Sequence, residues 1–310
     1  MKNISIVTAI VSMKKKLIVC VCLCLMSSLI TVSAQIKLSF NPEVGKKYEY
    51  HMESIQNVKQ KAMGQEIPIE TEMNSTYLME IKSKTAQEIH VQFTYSAFTF
   101  LVSSAMMNSK YDSKKPTENP SEMDKMLGKV FSTLIDKPFT VVFAPDGSVK
   151  SVTGMEAIIK DMLNAVSGDG QLAAQLGAQM SQQFSDESMK NMFGQSFYSY
   201  PDKAVKIGDS WNVKNSFLMS GMNFNINANN TLKGINANMA TIEVESDIDM
   251  DMEGGKLTGK QAGSIIVDTA TGIPATSDIS QNINGSIKAQ GMDIQMEMIT
   301  KTKTTAKVIN

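Results

Sequence analysis

The chain has 310 residues, with 30 basic against 31 acidic side chains, and every basic residue is lysine. Without the arginine fork that reads phosphate and guanine, and without a basic surplus, nucleic-acid binding is excluded as a function class.

The first element is a secretory signal over residues 1–34. Lys14, Lys15 and Lys16 supply the basic start, Leu17 to Ile30 the apolar run, and Val32-Ser33-Ala34 the small residues of a cleavage site. The run falls short of the roughly 20 residues a membrane span needs. Cleavage before Gln35 would leave 26 lysines against 31 acids, a net charge of −5. It would also remove Cys20, Cys22 and Cys24, the only thiols. Val19, Val21 and Leu23 precede them, so none sits behind the small residue that lipidation requires. The mature chain is then expected to use no disulfide, cysteine nucleophile or thiolate metal site. No later apolar run approaches a span, so no transmembrane segment is expected after cleavage.

Beyond the signal the dominant period is two. Tyr48, Tyr50 and Met52 alternate with Glu49, His51 and Glu53, and Ile89, Val91, Phe93 and Tyr95 with Glu88, His90, Gln92 and Thr94. Ile242 and Val244, Ile248, Met250 and Met252, and Ile294, Met296 and Met298 repeat the pattern. These are strands with one buried and one wet face, the antiparallel signature. Breaks are predicted at Gly221 to Asn230, Asn236 to Asn238, Gly254-Gly255 and Asn284-Gly285.

The period changes in the middle. Met123, Met126, Leu127, Val130, Phe131, Leu134 and Ile135 predict a helix over 121–136, capped by Ser121 with Pro138 beyond it. Met155, Ile158, Ile159, Met162, Leu163 and Val166 predict a second over 154–167, with Thr153 and Glu156 as a capping box and Gly168 as its stop. Residues 170–183 and 185–193 read as further helical stretches. Val44-Gly45-Lys46-Lys47-Tyr48 parallels Ile207-Gly208-Asp209-Ser210-Trp211. The resulting plan is a first β-rich half at 35–154, a helical segment at 155–195, and a related β-rich half at 196–310.

Chemistry is sparse. His51 and His90 on neighbouring strands could meet Glu49, Glu53 or Glu88 as a zinc site, but two separate surface imidazoles fit the spacing better. No G-x-S-x-G elbow, phosphate loop or dinucleotide fingerprint is present. Gly208-Asp209-Ser210-Trp211 reads as a turn before a strand. The 24 methionines are unusual. Core filling is the plain reading, a deformable apolar binding surface the next, and Cu(I) ligation through Met250 with Met252 or Met296 with Met298 the last. Neither metal nor cofactor is expected.

Three segments carry a family resemblance: Phe40-Asn41-Pro42-Glu43-Val44-Gly45-Lys46-Lys47-Tyr48; the Asp146-Gly147 turn with Val149 and Gly154; and Pro201 leading to Val205-Lys206-Ile207-Gly208-Asp209-Ser210-Trp211. With them the chain resembles an uncharacterised family of exported Bacteroidetes-type envelope proteins, domain of unknown function 6263. No activity and no functional residue come with that resemblance. More loosely, strands wrapped around helices are similar to the envelope lipoprotein-carrier fold, which implies an amphiphile site at the level of fold alone.

The expected fold is mainly β (α+β): a strongly curved antiparallel sheet, or two related half-barrels, with amphipathic helices packed on the concave face. The expected function is non-catalytic, binding or carrying a hydrophobic or amphiphilic ligand in the periplasm or at the cell surface. Phe98, Phe100, Leu101, Met126, Phe131, Met155, Ile159 and Met162 are the candidate lining. A structural module of an envelope assembly, with a protein partner in place of a lipid, is the alternative, and a hydrolase the distant one.

Overall fold

The computed structural model describes residues 35–309 apart from 63, 106, 167–187, 189, 191, 192, 195–199, 220, 221, 253 and 290. The predicted signal and the helical stretches at 170–183 and 185–193 lie wholly or largely outside the described residues.

The described residues form one antiparallel sheet of twelve strands. They are β1 (Lys47–Ala62), β2 (Gln65–Lys84), β3 (Ile89–Ser104), β4 (Asn108–Asp112), β5 (Pro138–Phe143), β6 (Val149–Thr153), β7 (Ser210–Met219), β8 (Met222–Asn236), β9 (Met239–Met252), β10 (Gly255–Asp268), β11 (Pro274–Ala289) and β12 (Met292–Ile309). Two helices, α1 (Glu122–Ser132) and α2 (Met155–Val166), complete the described elements. The spatial order is β6-β5-β3-β2-β1-β12-β11-β10-β9-β8-β7, with β4 also on β3. Two up-and-down meanders are thus joined by the β1–β12 pair. β6 and β7 stand at opposite ends and do not pair, so the sheet is not closed into a barrel.

The two-residue period decides which side chains face in. Cross-strand partners share a face, so the pairing carries Tyr50 to Tyr77 and Ala306, and Val58 to Ile69 and Met298. Along β1, along β2 as far as Ile81, and along β7–β12, no Asp, Glu, Lys or His occupies an inward position. The outward rows hold the charge, and adjacent strands pair it: Lys256 with Asp249 at 3.0 Å, Lys260 with Asp247 at 3.3 Å, Lys303 with Asp278 at 3.6 Å and Lys59 with Glu297 at 3.8 Å.

Two devices shape the sheet. The first is a bulge in β3. Thr76 opposes Ala97 while Tyr77 opposes Tyr95, which leaves Ser96 as an extra residue. The inward set therefore changes phase, from Ile89, Val91, Phe93 and Tyr95 to Phe98, Phe100 and Val102. The second is a line of inward glycines where β10 meets β11. A Cβ on Gly259 would lie 2.2 Å from the Asn282 carbonyl oxygen; on Gly263, 2.1 Å from that of Asp278; on Gly285, 2.3 Å from that of Lys256. In a flat sheet a Cβ stands clear of the neighbouring strand. Here the neighbour crosses its path, so the sheet is creased toward its inner face, and only glycine fits the crease.

The predicted breaks were partly misplaced. Residues 222–230 lie inside β8 and Asn284-Gly285 inside β11. Asn223, Asn225, Asn227 and Asn229 are the exposed alternates of Met222, Phe224, Ile226 and Ala228, so the asparagines mark a wet face rather than a turn. The hairpins turn at left-handed Gly64, Gly254 and Gly291. The Gly45 and Gly208 segments adopt one geometry. Gly45 N–H donates to Ile81 O, and Ile81 N–H to Lys46 O; Gly208 N–H donates to Leu232 O, and Leu232 N–H to Asp209 O.

The core falls into three clusters. The largest gathers Tyr50, Met79, Phe93, Phe139 and Phe143 from the sheet with Met126 and Val130 of α1 and Met155, Ile158 and Met162 of α2. A second packs Leu38 and Val205 on Leu232, Ile242, Val244 and Val267. The third holds Ile248, Met250, Leu257 and Ile283 near the hairpin tips.

Candidate functional site

Both helices serve the first cluster. Ser121 caps α1 by accepting from Asp124 N–H at 3.1 Å, and the Asp124 carboxylate reaches back to Ser121 N–H at 2.8 Å. The same carboxylate accepts from Ser109 Oγ at 2.5 Å and Lys110 N–H at 2.8 Å, which fastens α1 to β4. These donors hold its pKa well below the usual carboxylate range, the Ser109 hydroxyl foremost. The cap expected on α2 differs: Glu156 accepts from Gly154 N–H at 2.9 Å, and Thr153 ends β6. Gly154 is left-handed and its backbone lies against Phe139, so the chain turns there too tightly for the Thr153 box to form.

The eight expected lining residues come together only in part. Met126, Met155 and Met162 are buried in the first cluster, with Phe131 and Ile159 half-buried against it. The Phe98 and Phe100 rings pack on Phe131 at 4.8 and 5.6 Å. Leu101 falls on the opposite face of β3, because the bulge puts the even residues inward, and it lines a shallow depression of about 290 Å3 beside Lys110 and Asp124. Among the described residues, these contacts are side chain to side chain.

The third cluster has a different character. Its floor is Ile248, Met250, Leu257 and Ile283, all under 5 % exposed. Met222, Phe224, Met252, Ile287, Met296 and Met298 surround it half-buried, and Phe217 stacks on Phe224 at 5.0 Å. No described side chain of α1 or α2 belongs to it. Both methionine pairs singled out in the sequence, 250 with 252 and 296 with 298, lie in this trough.

A belt of uncharged polar side chains crosses the inner face above the trough. Register places Ser246, Gln261, Gln281, Thr300, Gln56 and Thr71 in one row on six adjacent strands. Gln281 donates to Gln261 at 2.7 Å, and Gln56 to the Met298 sulfur at 3.1 Å. In the next row Ser54 and Thr302 hydroxyls meet at 3.1 Å. Ser246 Oγ and Asn230 Nδ2 are buried and, among the described residues, have no hydrogen-bond partner. Sequence reasoning missed this belt. Its trace is a polar residue flanked two positions away by apolar ones, Val244-x-Ser246-x-Ile248 and Ile279-x-Gln281-x-Ile283, but only register aligns such interruptions.

The catalytic candidates do not assemble. His51 sits opposite Thr76 and bonds its hydroxyl at 2.9 Å, while His90 sits opposite Ser83 and contacts Glu88 at 3.3 Å. Among the described residues no group of three or more His, Cys, Asp or Glu could hold a metal ion. Ser210 Oγ pairs with Thr231 Oγ1 at 2.8 Å on the exposed face, and Asp209 accepts from Lys206 N–H.

Three comparisons bear on kinship. The chain is similar to "Lipid-protein interactions in lipovitellin" at 7 % identity and a TM-score of 0.48, over 86 % of this chain and 25 % of that one. It thus spans about a quarter of that chain. It is also similar to Pseudomonas aeruginosa OccK7 (OpdD) at 6 % identity and a TM-score of 0.26, over 86 % of this chain and 100 % of that one. A third likeness is to the COG4313 outer membrane channel of Pseudomonas putida F1, at 7 % and 0.20, over 86 % and 98 %. Such values carry no functional argument. A bilayer-facing strand needs apolar residues outside, whereas the outward rows here carry lysine and carboxylate. No curated protein matches the chain. The model of a family of unknown function (DUF6263) matches residues 86–274, from β3 to the start of β11, and the chain belongs to that family.

Proposed function

We propose that this is an exported, non-catalytic protein that binds an amphiphile, with the apolar part of the ligand on the methionine-rich trough of β8–β12. One observation carries the reading: an inner face free of charge along eight strands, whose far end is a thioether-rich cluster on which neither described helix packs. Methionine suits this use, since its unbranched, polarizable side chain fits variable apolar shapes. From the belt at Ser246 to the end of the trough at Met252 is six residue steps, about 20 Å of strand, which matches a long acyl chain. Export rests on the signal pattern at 1–34, and periplasm or cell surface follows from it.

The protein partner reading is tested by the same measurement. Protein purified from its own envelope is analysed by native mass spectrometry and by solvent extraction. The expected result is a mature chain starting at Gln35 with co-purifying lipid. A stoichiometric protein partner and no lipid would refute the amphiphile reading in favour of a structural module.

A further inference from the structure

We infer that the ligand carries an uncharged, oxygen-bearing polar head, an ester or hydroxyl group of acylglycerol type, and that the belt of Ser246, Gln261 and Gln281 with Asn230 selects it. This deepens the amphiphile reading and rests on it.

Three features lead there. First, the belt borders the trough directly: Ser246 precedes Ile248 and Met250 on β9, and Gln281 precedes Ile283 on β11, with each pair or triplet on one face. A molecule with its tail on the trough has its head at the belt. Second, the belt offers hydrogen bonds and no charge. Ser246 Oγ and Asn230 Nδ2 are donors buried to 5 % and 2 % residue exposure and have no partner among the described residues. Buried polar groups left unpaired are uncommon and costly. Asn230 opposes Val244, so it lies diagonally beside Ser246 across β8 and β9. An acceptor oxygen set beside them would satisfy both donors. Third, no lysine or histidine lies on the inner face of these strands. A carboxylate or phosphate head would be desolvated there without a counter-charge, which opposes binding. A carbonyl or hydroxyl oxygen satisfies the donors without that penalty.

The test uses the purified full-length mature chain and an apolar fluorescent hydrocarbon probe. Three competitors share an oleoyl tail: monooleoylglycerol, oleate and oleoyl lysophosphatidate. Monooleoylglycerol is expected to displace the probe at a concentration about 100-fold below the two anions. In Ser246→Ala, and separately in Gln261→Leu, that preference should fall at least about fivefold. Two variants on different strands guard against one failing to fold. Equal or tighter displacement by either anion, or an undiminished preference in both folded variants, overturns the inference while leaving the amphiphile reading in place. Failure of the probe and all three lipids to bind overturns the amphiphile reading itself.

Discussion

The glycine crease between β10 and β11 makes a prediction of sign as well as size. In an ordinary strand, Gly→Ala stabilises by about 0.4–1 kcal/mol, because the unfolded chain loses freedom. Gly234, beside the bulge in β8, is outside the left-handed region and has nothing within 4 Å of the added methyl, so the same gain applies there. At Gly259 the methyl would stand 2.2 Å from the Asn282 carbonyl oxygen and 2.7 Å from Ile283 Cα. Both are backbone atoms, and a normal contact needs about 1 Å more, so one strand must move away from the other. That shift strains or breaks two or three ladder hydrogen bonds at about 1 kcal/mol each, with overpacking of the Ile283 floor added. Gly259→Ala should therefore destabilise by about 2–4 kcal/mol, while Gly234→Ala stays within about 1 kcal/mol of wild type on the favourable side. Urea unfolding followed by far-UV circular dichroism reads both as midpoint shifts at constant slope. If the two substitutions behave alike, the sheet is not creased on its glycines and the trough has another origin.

Four more outcomes follow from particular contacts. Asp124→Asn keeps the shape but loses the charge that accepts from Ser109, Lys110 and Ser121, and should cost about 1–3 kcal/mol in chemical denaturation. Because the folded pKa of Asp124 is depressed, its contribution is complete above the unfolded carboxylate pKa and fades as pH falls below about 4; a stability–pH profile equal to that of Asp124→Asn would contradict this. Deleting Ser96 removes the extra residue and leaves Tyr95, Phe98, Phe100 and Val102 on one face in plain alternation, so α1 keeps its seat; near-UV dichroism should stay native-like, and its collapse would contradict the one-residue bulge. Tyr95 is pushed up to about 12 by burial, and burial also raises Tyr50 and Tyr77, whose rings stack at 5.1 Å. The stability they supply is full below pH 10 and is lost as pH rises through their folded values, so these phenols should ionise only with alkaline unfolding, read at 295 nm. Mild peroxide converts half-buried thioethers to polar sulfoxides, and loss of Met252, Met296 and Met298 as apolar contacts should weaken hydrocarbon-probe binding before the fold is lost.

The sequence made the strands legible wherever the period was unbroken. Tyr48 to Met52, Ile242 to Met252 and Ile294 to Met298 alternate as β1, β9 and β12 do, because burial on one face is a local property of side chains two apart. The α1 cap at Ser121 was equally local. What failed was non-local. Leu101 reads as a neighbour of Phe100 until the Ser96 bulge fixes the phase. Asn284-Gly285 reads as a turn until β10 lies against it. The belt from Ser246 to Gln56 joins residues up to 244 positions apart, and nothing in one strand reveals the register of the next.

The order of the strands also governs when the sheet can exist. β12 is the last of the described strands in sequence, yet it lies near the middle of the sheet, between β11 and β1, with Tyr48 opposite Val308 and Lys61 opposite Gln295. Each meander can zip locally, but their union waits for contacts more than 230 residues apart, the kind that slows folding most. A chain cut short at its C-terminus would therefore lose its keystone rather than an edge, and would leave two separate meanders with newly bared borders. The joining of the two meanders is timed to the arrival of the eighteen-residue β12.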